Sequence, residues 1–187
     1  LRIGVLALQG AFIEHRHKLT SMGVESFEIR QLKDIEQPFD GLILPGGEST
    51  TQGRLLKELG LFNPLKKKIQ QGLPTLATCA GMILLATSIT GQTNHHLGTM
   101  PIEVTRNYFG RQLGSFHRRI QHDGQRLDLM FVRAPIVALV NKDVNVLLEI
   151  DNLKVAVQYQ HQIGLSFHPE LSKQDYFHQQ LINLIQR

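Results

Sequence analysis

Apolar residues recur along this chain with two different periods, and the period marks the elements. Ile3 to Leu8 is a continuous apolar run ending in Gln9-Gly10. Such a run suits a strand buried on both faces, which implies a parallel sheet. From Phe12 to Met22 the pattern is amphipathic, with Gly23 as a stop; Val24 to Ile29 then alternates, and Gly41 to Leu44 is a second apolar run closed by Pro45-Gly46-Gly47. Helical patterns follow from Thr51 to Leu59 and from Pro64 to Gln71. A short strand from Pro74 to Thr78 leads through Cys79 into a helix from Gly81 to Ser88. Strands alternating with helices in this order predict an α/β fold in three layers, a mostly parallel central sheet with flanking helices.

The second half is β-rich. Ile102 to Arg106, Ser115 to Gln121, Leu127 to Val132, Val137 to Val140, Val144 to Ile150, Val155 to Gln160 and Ile163 to Phe167 all read as strands, with turn residues such as Asp123-Gly124 and Asn152 between them. A last amphipathic helix from Lys173 to Ile185 is expected to pack on the sheet. No repeat, low-complexity tract or linker interrupts the pattern, so residues 1–187 are expected to form a single domain.

With 187 residues, 42% of them hydrophobic, the chain can bury a full core without staples. The longest apolar runs, Ile3 to Leu8 and Met82 to Ala86, fall far short of the roughly 18 residues of a membrane-spanning helix. No basic-then-apolar leader precedes the first strand. Cys79 is the single cysteine, which excludes an internal disulfide and a cysteine-rich zinc site and fits a reducing compartment. A cytoplasmic protein with no membrane partner is the expectation. The formal net charge of +4 comes from basic residues scattered among acids, and the densest run, Lys66 to Lys68, fits a solvated helix face. There is no Trp and there are only three Tyr, so stacking platforms are scarce and no nucleic-acid partner is expected.

Three segments carry candidate chemistry. In Ala77-Thr78-Cys79-Ala80-Gly81 a thiol stands between a strand and a helix, with small residues two positions before and after it. That is the layout of a nucleophile elbow, where bulky flanks would clash and the nucleophile projects alone. A helix start also favours thiolate through its unpaired N–H groups. Taken alone, the pattern fits a buried structural cysteine equally well.

His168-Pro169-Glu170 shifts the balance. Proline biases the residue before it towards extended backbone, where residues two apart share a side, so Glu170 can orient the His168 ring. A lone His-Pro-Glu would read as a surface histidine beside a solvated glutamate; beside the elbow, it reads as a triad in which His168 takes the Cys79 proton. The third segment, Pro45-Gly46-Gly47-Glu48-Ser49-Thr50, matches neither the dinucleotide fingerprint nor the P-loop. It reads better as the donor of a backbone N–H, from Gly47, to a developing oxyanion, with the Ala80 N–H as second donor.

Gly-Gly-Glu-Ser-Thr, Thr-Cys-Ala-Gly and Phe-His-Pro-Glu, in this order, resemble the triad-type class I glutamine amidotransferases. Leu8-Gln9-Gly10 with Glu14-His15, the run from Arg106 to Gln112 (Arg-Asn-Tyr-Phe-Gly-Arg-Gln) and Arg133-Ala134-Pro135 resemble one branch, the glutaminase subunits of pyridoxal 5'-phosphate synthases. The resemblance implies a flavodoxin-like class I glutamine amidotransferase fold. It implies hydrolysis of L-glutamine to glutamate and ammonia, and a barrel-shaped synthase subunit as the partner that takes the ammonia. Carried over by motif, Cys79 is the nucleophile, His168 the base and then the acid, and Glu170 the orienting carboxylate. Gly47, Glu48, Ser49, Arg106, Val132 and Arg133 fall at the glutamine-binding positions; a guanidinium at Arg106 suits the substrate α-carboxylate.

The chain departs from the family pattern at Ala77, where glycine is common in the elbow, at Tyr108, usually serine, and at Gln160-His161, usually Gln-Gly. None of these removes a catalytic group. His15 and His17, two apart on a helix, do not share a face, and His95-His96 lies in a polar loop. No metal site and no cofactor are expected, because thiolate, base and oxyanion donors suffice for the hydrolysis. Two rival readings are a cysteine hydrolase or chaperone-like protein sharing the elbow, and a non-catalytic binding subunit. The first leaves the Gly-Gly-Glu-Ser-Thr segment unexplained; the second sits badly with three intact triad residues.

Overall fold

The computed structural model describes residues 1–93, 96–110 and 114–187. The chain runs β1 (Arg2–Leu6), α1 (Phe12–Ser21), β2 (Glu25–Ile29), β3 (Gly41–Leu44), α2 (Ser49–Glu58), α3 (Phe62–Gln70), β4 (Thr75–Thr78) and α4 (Ala80–Leu85). It continues β5 (Ala86–Ile89), β6 (Met100–Thr105), β7 (Ser115–His122), β8 (Gln125–Val132), β9 (Ile136–Val140), β10 (Asn145–Ile150), β11 (Leu153–Tyr159), β12 (Gln162–Leu165) and α5 (Tyr176–Ile185). Two short 3-10 turns, Leu32–Glu36 and Pro169–Leu171, complete the described elements.

One ten-stranded sheet carries the fold, in the order β2-β1-β3-β4-β12-β11-β9-β6-β5 with β10 on β11. Strands β2, β1, β3, β4 and β12 are mutually parallel; beyond β12 the pairing turns antiparallel through β11, β9 and β6. The continuous apolar runs are explained by burial on both faces. Leu42 and Leu44 of β3 enter a core with Leu56 of α2 and Leu65 and Ile69 of α3, whereas Ile43 enters the opposite core with Leu19 of α1 and Leu181 of α5. Helices therefore cover both faces, and the predicted three-layer fold with its β-rich second half is the observed one.

The structure corrects the sequence reading in detail. The helix expected to reach Ser88 ends at Leu85, and Ala86 turns extended (φ −60°, ψ 139°). Ala86–Ile89 pairs in parallel with β6, and the Thr87 hydroxyl donates to the Ile102 carbonyl at 3.1 Å. Thr87 and Ile89 are β-branched and suit a strand, but the apolar run before them masked the change of period. Strands β7 and β8 leave the main sheet and form their own hairpin, with Ser115 opposite Val132. Leu127, Leu129 and Phe131 on one face of β8 bury against Phe167, holding the hairpin beside the end of β12. The final helix starts at Tyr176 rather than Lys173. Arg111 and Gln112 of the Arg-Asn-Tyr-Phe-Gly-Arg-Gln motif, and His95, lie outside the described residues.

Candidate active site

Parallel sheets leave a crevice beyond the carboxyl ends of their strands, and every candidate segment gathers there. Cys79 forms the link between β4 and α4 with φ 49° and ψ −105°, a conformation rarely taken by a residue with a Cβ. The turn is held by the Cys79 N–H donating to the Leu165 carbonyl at 2.7 Å. A Cβ at Gly81 would stand 2.1 Å from the Leu44 carbonyl oxygen, so the elbow requires glycine there. Ala77 is fully buried in β4 and fits the strand without displacing it. Cys79 is 7% exposed, and Sγ lies 3.8 Å from the Val132 carbonyl at the end of the hairpin.

Strand β12 runs parallel to β4 with Leu165 opposite Thr78, so the chain leaving β12 emerges beside Cys79. The His168 N–H donates to the Met130 carbonyl at 2.8 Å, which ties this exit to β8. His168 Nδ1 donates to Glu170 Oε1 at 2.7 Å, and the Cys79 thiol lies beside the ring across the cavity floor. Glu170 reaches the ring from the first turn of a 3-10 helix, not along the extended stretch that the sequence suggested. The pairing is as expected; the backbone that makes it is different. Burial pulls the His168 pKa down, but Cys79 and Glu170 outweigh it and the ring is pushed up to about 10. Burial likewise works to raise Glu170, and the nearby His15 and His168 hold it below the ordinary carboxylate value.

A cavity of about 320 Å³ opens over Cys79 and His168. Gly47, Glu48 and Ser49 line one side, at the junction of β3 and α2, and Arg106, Val132 and Arg133 line the other. The Arg106 guanidinium spans the mouth, 3.4 Å from the Thr50 hydroxyl and 3.5 Å from Glu48 Oε1. The Gly46–Glu48 turn is braced from β1 and α1: the Ala11 N–H donates to the Gly46 carbonyl at 3.0 Å and the Glu48 N–H to Gln9 Oε1 at 2.8 Å. Gly46 packs flat under His168, where a Cβ would lie 2.4 Å from the ring Cε1. Ala80 is buried at the first position of α4, next to Cys79. Asn107 (φ 46°) and Arg133 (φ 44°), like Cys79, have positive φ and line the cavity, while Asp123, Asp151, Asn152 and Gln160 have it away from the site.

Of the departures from the family pattern, Tyr108 is half exposed and packs edge-on against Phe109, and His161 Nε2 bonds the Ile69 carbonyl at 2.8 Å, away from the cavity. One neighbour of the site escaped the sequence reading. His15 is completely buried, with Nε2 3.3 Å from Glu170 Oε2. The signal was its place on the Phe12, His15, Leu19 face of α1, the face turned to the core.

The fold and the site converge with the comparisons. The chain belongs to the SNO glutamine amidotransferase family, whose pattern it matches over residues 5–187. It is 50% identical over 186 residues to pyridoxal 5'-phosphate synthase subunit PdxT of Desulfitobacterium hafniense, covering 99% of this chain and 94% of that one. With the PdxT subunit of Streptococcus pneumoniae it shares 47% identity over 188 residues, covering 98% and 97% of the two chains. A crystal structure of a glutamine amidotransferase superposes with a TM-score of 0.92 at 38% identity, covering 99% of both chains.

Proposed function

We propose that this protein is the glutaminase subunit of a pyridoxal 5'-phosphate synthase, hydrolysing L-glutamine to L-glutamate and ammonia and passing the ammonia to a barrel-type synthase subunit. We assign Cys79 as nucleophile. Its proton goes to His168, and Sγ bonds the side-chain amide carbon of glutamine while the carbonyl oxygen becomes an oxyanion facing the Gly47 and Ala80 N–H groups. Collapse breaks the C–N bond, and His168 returns the proton to the departing nitrogen as ammonia. Water, deprotonated by His168, then attacks the thioester, and the Cys79 sulfur leaves with glutamate as product. Glu170 orients the ring and offsets the imidazolium charge throughout. Arg106 takes the α-carboxylate of glutamine, with Glu48, Ser49, Val132 and Arg133 completing the pocket.

The observation that carries this reading is the 2.7 Å bond between His168 and Glu170 behind Cys79, on the floor of a cavity with a guanidinium at its mouth. Ammonia protonates readily in water, which gives a reason for docking. We place the complex in the cytoplasm, where the single thiol stays reduced. Among the described residues no helix is long and apolar enough to cross a membrane, and no group of His, Cys, Asp and Glu could hold a metal ion.

The test is glutamate release from glutamine by the purified protein, with and without a pyridoxal 5'-phosphate synthase barrel subunit, beside Cys79→Ala. Partner-dependent release that disappears in Cys79→Ala is the expected result. Equal turnover with and without the partner would refute the docking requirement. No release from a folded protein in an assembled complex would refute the glutaminase.

A further inference from the structure

Behind Glu170 lies a buried polar chain that the proposed reaction leaves unused. His15 on α1 and His178 on α5 are both completely buried, with His15 Nδ1 2.9 Å from His178 Nε2. His15 Nε2 stands 3.2 Å from the buried Thr78 hydroxyl and 3.3 Å from Glu170 Oε2, an oxygen with no hydrogen bond of its own. Of the two proton arrangements that satisfy the bonds to His178 and Thr78, one avoids turning a lone pair of His15 towards Glu170. An ionised Glu170 only accepts, which favours an N–H at His15 Nε2, pointing between the Thr78 hydroxyl and Glu170 Oε2; the lone pair of a neutral ring is then at Nδ1, and His178 presents its N–H at Nε2.

We propose that His15 is a positioning residue for the Cys79, His168 and Glu170 reaction: its Nε2–H steadies the rear oxygen of Glu170 while the front oxygen holds His168, and His178 fixes the His15 tautomer. The inference rests on the glutaminase reading above. The groups facing His15 are Glu170 and His168 from the segment after β12, His178 from α5, and Glu14 from its own helix; Lys18 adds its charge beside His178. Burial lowers the pKa of His15, outweighing the charge of Glu170, and burial together with His15 and Lys18 lowers that of His178. Both rings are therefore neutral near pH 7. His15 acts through an N–H dipole, with no second buried charge added, and keeps Glu170 ionised at a depth where a carboxylate with one partner would be driven towards its acid form.

Removing the donor should therefore weaken the imidazolium of His168 without touching the glutamine pocket. The variants are His15→Leu, which loses the N–H, and His15→Gln, whose amide nitrogen can reach the same place. His178→Leu leaves Glu170 untouched but frees the His15 tautomer. Two readouts apply: the pH profile of iodoacetamide alkylation of Cys79 in the free subunit, and glutamine turnover with the barrel subunit present. In His15→Leu the alkylation midpoint is expected to move up by roughly half to one pH unit, and kcat to fall about tenfold. KM for glutamine should stay within about twofold, because His15 lies outside the cavity. His15→Gln is expected to recover most of both effects, and His178→Leu to show a smaller shift in the same direction.

Should His15→Leu not fold, His15→Asn takes its place, since its shorter amide stops before Glu170. A reactive Cys79 whose profile is unchanged in His15→Leu, or a loss that His15→Gln does not recover, overturns the inference and leaves the glutaminase standing. Absence of glutamate release from the unsubstituted complex overturns the glutaminase itself.

Discussion

Replacing Gly46 with alanine tests whether the reaction depends on the height of the His168 ring above the β3 turn. The added Cβ would lie 2.4 Å from His168 Cε1 and 3.1 Å from Nδ1, whereas carbon atoms in comfortable contact sit about 3.5–4.0 Å apart. The backbone at Gly46 cannot easily retreat, because its carbonyl accepts from the Ala11 N–H, and the neighbouring Pro45 carbonyl accepts from the fully buried Gln52 side chain. The ring must therefore give way by about 1 Å, against its bond to Glu170. A misplacement of about 1 Å between reacting groups costs on the order of 10²-fold in rate, and overpacking costs about 1–3 kcal/mol of stability. Gly60→Ala is the control: Gly60 has a positive φ of 70°, where a side chain strains the backbone, but a Cβ there meets nothing within 4 Å. Steady-state glutaminase assays with the barrel subunit, paired with thermal unfolding, separate the two contributions. Gly46→Ala should lose rate far beyond its loss of stability, and Gly60→Ala should lose only stability. A folded Gly46→Ala enzyme with kcat within about threefold of the parent would refute the argument that this contact sets the geometry.

Arg106→Lys should raise KM for glutamine about 10- to 100-fold with a smaller effect on kcat, since an ammonium cannot reproduce a two-pronged grip on a carboxylate; an unchanged KM in steady-state kinetics would remove Arg106 from substrate binding. The pKa of His168, raised from 6.5 to about 10, stabilises the fold fully below about pH 6.5 and loses that contribution as pH climbs towards 10. Thermal unfolding of the free subunit should thus decline over this window, and the decline should be shallower in His168→Asn. An identical slope in the two proteins would contradict it.

The parallel half of the sheet was legible because doubly buried strands are continuous apolar runs, and β1, β3 and β4 lie within a residue or two of their expected places. The elbow was legible for a related reason: a strand, a thiol and a small-residue helix start leave few alternatives at Ala77 to Gly81. Strand β5 was not, because Met82 to Ala86 is apolar in either conformation and pairing with β6 decides the outcome. The separation of β7 and β8 from the main sheet was equally hidden, since alternation marks a half-buried strand without saying which sheet owns it. The link from His15 to Glu170 joins the first helix to the last strand's exit, a distance in sequence that no local pattern bridges. Its burial could have been read from the face it shares with Leu19; its partner could not.

The central place of β12 has a consequence for the life of the chain before it is finished. This strand fills the gap between β4 and β11, yet it is synthesised after both of them, and the residues that approach Cys79 follow it directly. Most of the core strands, with the thiol among them, are synthesised while the seat beside β4 stands empty, and pairing across so many residues is slow. A nascent chain thus carries Cys79 without His168 beside it. Under the proposed mechanism such a chain cannot turn over glutamine, so the order of the strands ties activity to completion of the sheet.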